Sequence, residues 1–222
     1  VPRATFVLSA ASSGDFPTTG LPEIALVGRS NVGKSSLINA LAKQKIARTS
    51  AAPGKTRLAN YYLVDSGLRA SGSGHRASGS GLRAAGSRFY LVDLPGYGYA
   101  RGGADSAATF EALTTEYFDS SRPTRTIAGV LQLIDARHPD LAQDALAFDW
   151  VMRLRLPMAI VSTKMDKLSR SEQLKTISSL ENKYGLDVLP VSVMKSTGIE
   201  QVWRVLRQWT SGAAPGAGSP KP

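Results

Sequence analysis

One run of eight residues limits what this chain can fold into more than any other: Gly28-Arg-Ser-Asn-Val-Gly-Lys-Ser35. It matches the pattern G-x-x-x-x-G-K-[ST] and stands between Glu23 to Val27, which reads as a short buried strand, and a segment with Leu37, Ile38 and Leu41 on one helical face. The order predicts a strand, a glycine-rich turn and a helix. In such a turn Gly28, Arg29, Ser30, Asn31, Val32 and Gly33 wrap their backbone around an anion, with successive N–H groups forming a nest. The helix N-terminus adds its partial positive charge. Lys34 is then placed to reach the β- and γ-phosphates of a nucleotide, and the Ser35 hydroxyl to ligate Mg²⁺. A plain glycine turn ahead of a helix is the bland alternative. The ligand expected is a nucleoside triphosphate.

The rest of the chain alternates in the same manner. Ala59 to Val64 and Arg88 to Val92 are β-rich runs suited to a hairpin, Ile127 to Asp135 and Pro157 to Thr163 are further buried strands, and Val188 to Val191 is a last short one. Leu141, Ala145, Phe148 and Met152 recur at helical spacing, as do Ile199, Val202, Trp203, Leu206 and Trp209. The tryptophans of that last helix could be taken for a base-stacking platform, but their spacing favours core packing. The class expected is α/β, with a mostly parallel six-stranded sheet covered by helices on both faces. With 222 residues the chain suits one such domain, placed at residues 21–210, behind an N-terminal extension over 1–20 and ahead of a Gly/Pro/Ala-rich, disordered tail over 211–222. The absence of cysteine excludes a disulfide scaffold and thiolate metal sites. No run approaches the roughly 18 apolar residues of a membrane span, and the first ten residues lack the order of a secretory signal. They read as a trimmed or processed end.

Two further motifs follow the phosphate loop in order. Asp93-Leu94-Pro95-Gly96 ends a predicted strand and fits D-x-x-G. Asp93 would hold Mg²⁺ through water and the Gly96 N–H would meet the γ-phosphate. Thr163-Lys164-Met165-Asp166 matches [NT]-K-x-D, which selects the base. A carboxylate accepts from guanine N1–H and from its exocyclic amine, whereas adenine leaves the buried acceptor unpaired at a cost of about 1–3 kcal/mol. Lys164 would lie over the base and brace the phosphate loop. GTP is therefore preferred to ATP.

Charge points to a partner. Between residues 28 and 58 there are seven basic side chains and no acid, and four arginines follow between 66 and 88, so this segment, less Asp65, carries the whole net charge of +10. A concentrated positive field attracts polyanions, here RNA or a ribosomal particle, against the reading of solvated loop charge. Residues 66–87 hold three copies of a seven-residue Gly/Arg/Ala/Ser unit starting at Gly67, Gly74 and Gly81. One apolar position per unit forbids a coiled-coil seam. The segment is a low-complexity insertion at a hairpin tip, either a tolerated expansion or an arginine-bearing arm for RNA phosphates. His75 falls in this repeat and His138 in a loop before a helix, where solvent-facing or capping roles outweigh catalysis.

The runs Gly28–Ser36, Pro53-Gly-Lys-Thr56, Leu91-Val-Asp-Leu-Pro-Gly-Tyr-Gly-Tyr99 and Thr163–Lys167 together resemble the EngB (YihA/YsxC) family of bacterial GTPases, in order from about Leu21 to Trp209. The resemblance implies a Ras-like P-loop G domain that acts in large ribosomal subunit assembly and is linked to cell division and septation. It implies that Thr56 is the first-switch threonine on Mg²⁺, making Ser35, Thr56 and Asp93 the metal set. Gly54, Lys55, Thr56, Arg57 and Leu58 would line the phosphates, and Val191, Ser192 and Val193 would form the last guanine-contacting loop. By the same resemblance Asn31 helps to bind K⁺ beside the phosphates; a loop residue bonding its own backbone is the alternative. Lys34, Thr56, Gly96 and Asn31 are thus the residues expected to act on the transferring phosphate. Two departures stand out: the triple repeat is no recognised family feature, and Val193 replaces a small polar residue, leaving a backbone N–H for the guanine carbonyl.

Where Ras-type enzymes place a water-orienting glutamine, this chain has Tyr97, which offers neither an amide nor a suitable pKa near neutrality. Slow intrinsic hydrolysis follows, with a GTP-binding module of negligible turnover as the alternative. Tyr97, Gly98 and Tyr99 with Arg101-Gly-Gly103 form an aromatic, basic strip, suited either to partner docking or to packing on the domain. The expected partner is the large ribosomal subunit precursor, with its rRNA and proteins, and no membrane; the chain is expected to act as a monomer. A related GTPase of tRNA modification or ion uptake fits less well. The location expected is the bacterial cytoplasm, with an organellar matrix as the alternative.

Overall fold

A computed structural model describes residues 2–48, 58–66, 88–97, 112–119 and 125–211. Seven strands form one sheet: β1 (Arg3–Ala10), β2 (Pro22–Gly28), β3 (Ala59–Asp65), β4 (Arg88–Asp93), β5 (Thr126–Asp135), β6 (Met158–Thr163) and β7 (Val188–Pro190), ordered β1-β3-β4-β2-β5-β6-β7. The neighbours β4, β2, β5, β6 and β7 run parallel, while β1–β3 and β3–β4 are antiparallel. Helices α1 (Lys34–Ala42), α3 (Ala142–Arg153), α4 (Arg170–Tyr184) and α5 (Ile199–Thr210) are joined by a helical stretch at 112–118, α2.

The alternation along β2 explains the layering. Ile24 and Leu26 face Leu37, Ile38 and Leu41 of α1 and Val202, Trp203 and Leu206 of α5. Ala25 and Val27 face the other way, toward Leu113, Tyr117 and Phe118 of α2 and Val151 of α3. A strand buried on both faces is apolar where it faces the two layers, and β2 is apolar from Ile24 to Val27; its buried Glu23 is paired with Arg125. Each such Leu or Ile contributes about 1.5–3 kcal/mol by leaving water. Trp203 is buried and meets Phe89 edge-on at 6.2 Å, so the closing tryptophans pack the core.

The sheet has seven strands where the sequence predicts six. The seventh, β1, comes from the stretch read as an extension, and it pairs with β3 from Arg3↔Asp65 to Ala10↔Ala59 with an irregularity at Val7. Only Ala4 and Ala10 of this strand are buried, so the edge strand carries no apolar alternation to read. The helix α3 is also turned from its expected face. Asp144 and Val151 are its buried residues, whereas Met152 is exposed, because a carboxylate occupies the inner face. The β3–β4 hairpin is as predicted; its last pair, Asp65↔Arg88, brackets the repeat, of which residues 67–87 lie outside the described residues, as do 212–222 of the tail. Among the described residues no helix is long and apolar enough to cross a membrane.

Candidate functional site

At the carboxyl ends of the parallel strands the chain turns from β2 into α1 through Arg29–Gly33. Asn31 (φ 62°) and Gly33 (φ 114°) both adopt left-handed backbone and fold the loop back on itself. Gly33 caps α1, and the first helical bond is Leu37 N–H to the Gly33 carbonyl at 2.8 Å. The earlier amides of α1 have no partner within the helix, which is the electrostatic setting that favours an anion.

Lys34 is buried at the head of α1, its Nζ 3.4 Å from the Gly28 carbonyl and 3.9 Å from Asp93 Oδ1. Burial lowers the pKa of this ammonium, against the opposing pull of Asp93. Asp93 ends β4, where the Leu94 amide bonds to the Leu26 carbonyl at 3.3 Å and sets the D-x-x-G turn beside the phosphate loop. Burial raises the Asp93 pKa, while Lys34 and a hydrogen bond from the Ser35 hydroxyl to Oδ2 (2.8 Å) oppose the rise. Its other oxygen, Oδ1, is buried and accepts no hydrogen bond among the described residues. A hydroxyl and a carboxylate with an unused oxygen are the hard donors that suit Mg²⁺. Gly54, Lys55, Thr56 and Arg57 lie outside the described residues, and Leu58, at the entry to β3, is exposed.

The D-x-x-G turn is laced to the phosphate loop. The Ser30 amide donates to the Tyr97 carbonyl at 3.2 Å, and Gly96 lies so close to Ser30 that an added Cβ would fall 2.6 Å from the Ser30 nitrogen. Pro95 and Leu94 are buried beneath.

The T-K-x-D run meets the loop before α1 and the loop after β7. Thr163 Oγ1 lies 2.7 Å from the Val32 carbonyl, and Lys164 Nζ donates to the Asn31 carbonyl at 2.7 Å, which ties the T-K-x-D run to the loop before α1. The Met165 amide bonds the Val191 carbonyl (3.2 Å), and the Ser192 hydroxyl donates to Asp166 Oδ1 (2.7 Å). That hydrogen bond holds the Asp166 carboxyl below the usual carboxylate range, with burial opposing it. Val193 packs against the core.

A family model described as 50S ribosome-binding GTPase matches residues 23–164. The probable GTP-binding protein EngB of Symbiobacterium thermophilum is 41% identical, over 94% of this chain and 97% of its own. That of Clostridioides difficile is 36% identical over 88% and 87%. The chain belongs to the EngB family of GTP-binding proteins. Its fold recurs in the crystal structure of a probable GTP-binding protein engB, with a TM-score of 0.56 at 19% identity over 85% of this chain and 98% of that one. It recurs also in Era of Aquifex aeolicus bound to GDP·AlF4⁻, with a TM-score of 0.66 at 19% identity over 86% of this chain and 57% of Era.

Two features of this EngB-family site escape the motif reading. Asp135, at the end of β5, accepts from Lys164 Nζ at 2.8 Å and from Arg137 through Nε (2.9 Å) and Nη2 (2.7 Å). Burial alone would raise its pKa, but the hydrogen bonds from Arg137 and Lys164 hold it well below the ordinary range. A strand that from Ile127 on is interrupted by the polar Gln132 alone and ends on a carboxylate was the only signal for it. The second is Tyr97, whose hydroxyl donates to Asp144 Oδ1 of α3 at 2.7 Å. Burial and the facing Asp144 carboxylate push this phenol well above its ordinary pKa, so it stays protonated. Of the aromatic strip, Tyr97 therefore packs on the domain; Gly98, Tyr99 and Arg101–Gly103 lie outside the described residues.

Proposed function

We propose that this chain is a guanine-nucleotide switch that hydrolyses GTP slowly and acts in assembly of the large ribosomal subunit. One observation carries the nucleotide reading: Lys164 of the T-K-x-D loop donates to the Asn31 carbonyl of the phosphate loop, so base-reading and phosphate-binding residues face a single site. The backbone of Gly28, Arg29, Ser30, Asn31, Val32 and Gly33 surrounds the β-phosphate, and Lys34 neutralises charge on the β- and γ-phosphates. Ser35 and Asp93, with Thr56, would hold Mg²⁺, which would neutralise negative charge on the phosphates. The Gly96 N–H donates to the γ-phosphate. Gly54, Lys55, Arg57 and Leu58 flank Thr56 along the phosphates.

Asp166 accepts from guanine N1–H and the exocyclic amine, Thr163 and Met165 fix its loop, and Val191–Val193 closes on the base edge with a backbone N–H. Tyr97 supplies no base for water, so turnover is slow without help. Asn31 is the residue through which K⁺ would accelerate it. The family description and the basic segment over 28–88 support a ribosomal partner, through rRNA phosphates and ribosomal proteins. Roles in cell division and septation, a cytoplasmic location and a monomeric state belong to the same reading.

The deciding experiment is binding of labelled GDP, GTP and ATP with and without Mg²⁺, for the unaltered chain and Asp166→Asn. Guanine selectivity that moves toward xanthine nucleotides in the variant supports the assignment; equal binding of ATP refutes it. A second reading, a GTP-binding module of negligible turnover, is favoured by the engagement of Tyr97 with Asp144. Multiple-turnover hydrolysis with purified large subunits and with K⁺ in place of Na⁺ separates the two.

A further inference from the structure

Tyr97 is held at both ends. Its carbonyl accepts from the Ser30 amide of the phosphate loop at 3.2 Å, and a bridge pairs it with Arg29. Its hydroxyl donates to Asp144 Oδ1 at 2.7 Å, across to the first turn of α3. The acceptor is itself fixed: Asp144 is 1% exposed, and its backbone carbonyl accepts from Gln132 Nε2 at 2.7 Å. Gln132, fully buried on β5, also lies 3.4 Å from the Tyr97 hydroxyl. Nothing in helix packing asks for a carboxylate here. Leu or Val would bury apolar surface at that position, whereas a buried carboxylate carries a desolvation cost that only directed donors offset. Burial raises the Asp144 pKa, and the Tyr97 hydroxyl and the nearby Arg29 charge pull it back.

A directional bond fixes an orientation that apolar packing leaves loose. The residue it fixes follows Gly96 directly, and Gly96 sits against Ser30 with no room for a Cβ. Moving the Gly96 amide away from the phosphate loop means breaking the Ser30–Tyr97 backbone bond and turning the Tyr97 ring away from Asp144.

We propose that Tyr97 is a positioning residue: its hydroxyl, anchored on Asp144, holds the Gly96 amide in place against the phosphate loop. The position that carries a water-orienting glutamine in Ras-type enzymes is used here as a fixed post. The amide that meets the γ-phosphate is preorganised, so its ordering draws nothing from the binding energy of GTP. This inference rests on the GTP-switch reading above.

The test compares Tyr97→Phe, Asp144→Asn and the double variant Tyr97→Phe/Asp144→Leu with the unaltered chain. The readouts are affinity for GDP and for a non-hydrolysable GTP analogue in Mg²⁺, single-turnover GTP hydrolysis, and the thermal midpoint. Loss of one hydrogen bond to a charged group should cost Tyr97→Phe about tenfold in analogue affinity and in hydrolysis rate, with GDP affinity unchanged. Asp144→Asn keeps an acceptor oxygen and should retain both within about threefold. The double variant removes the stranded carboxylate, so it should recover the thermal midpoint without recovering the preference for the analogue. An unaltered ratio of analogue to GDP affinity in Tyr97→Phe, or equal losses for both nucleotides, would overturn the proposal while leaving the switch reading intact. Failure of the unaltered chain to bind guanine nucleotides would overturn both.

Discussion

The Lys164 ammonium lies 2.7 Å from the Asn31 carbonyl, joining two loops separated by 133 positions in the sequence. Asn31 has a left-handed backbone (φ 62°), and its carbonyl is turned so that a donor from the base-reading loop can reach it. Asp135 holds the same ammonium from the other side at 2.8 Å. Lys164 thus links the two loops, and under the proposed GTP-switch reading such a brace acts on both nucleotides alike. Lys164→Ala should weaken GDP and GTP by a similar factor, roughly 10- to 100-fold, since hydrogen bonds to charged groups are each worth about 1.5–3 kcal/mol. Asp135→Ala should give a smaller loss of the same kind. Stopped-flow release of a fluorescent nucleotide measures both, and a change in the GTP-to-GDP ratio would contradict the brace.

The proposed Mg²⁺ site makes a different kind of prediction. Asp93 Oδ1 is buried without a hydrogen-bond partner among the described residues, and Ser35 already occupies Oδ2. Asp93→Asn should remove the Mg²⁺-dependent part of nucleotide affinity, about 10-fold or more, and leave binding in EDTA as it is in the unaltered chain. Calorimetry in Mg²⁺ and in EDTA gives the two arms. Equal Mg²⁺ enhancement in the variant would remove Asp93 from the metal set.

How much of this was legible in the sequence depends on distance along the chain. The phosphate loop, D-x-x-G and T-K-x-D are short contiguous runs whose residue types carry their own chemistry, and the structure brings Lys34, Ser35 and Asp93, and separately Asp166 and Ser192, to each other. The central strands were legible because burial on both faces forces apolar runs. Strand β1 was not, because an edge strand that buries only Ala4 and Ala10 has no such pattern. The roles of Asp135, Asp144 and Arg137 were also hidden. They arise from pairs formed through space, such as Tyr97 with Asp144, 47 positions apart, and Asp144 breaks the apolar period of α3.

The hydrogen bond from Ser192 to Asp166 predicts a pH effect. It depresses the folded-state pKa of Asp166 below the ordinary aspartate value near 3.9. The sign follows from linkage: a depressed carboxylate contributes stability that is present above the unfolded pKa and lost as pH falls through the folded pKa. Guanine recognition needs the ionised acceptor, so it should persist to lower pH than an ordinary aspartate allows. Ser192→Ala removes the donor and should move the acid limb of GDP binding upward in pH, with little change at pH 7.5. The Asp166 carboxyl carbon, followed by NMR across the titration, reports the shift directly; an unmoved titration in the variant would assign the depression to something else.

The far pole of the sheet carries the last prediction, one of stability. Arg125 and Glu23 pair at 2.6 Å with side chains 5% and 2% exposed. The guanidinium lies over the rings of both Phe16 and Tyr117, 4.6 Å from each, and donates to the Tyr117 carbonyl at 2.8 Å. This one side chain joins β2, α2 and the N-terminal stretch, whose Ser13 amide also bonds Glu116 of α2 at 2.7 Å. Removing one partner of a buried pair strands the other charge, so Glu23→Ala should cost about 3–5 kcal/mol in urea unfolding. Replacing both, as Glu23→Leu/Arg125→Met, should recover much of that loss, because the burial of the two ions is itself unfavourable. The pair lies at the opposite end of β2 from Gly28, so folded Glu23→Ala protein should bind GDP with the affinity of the unaltered chain. A loss of affinity in protein shown to be folded would mean that the N-terminal clamp is felt at the phosphate loop through β2.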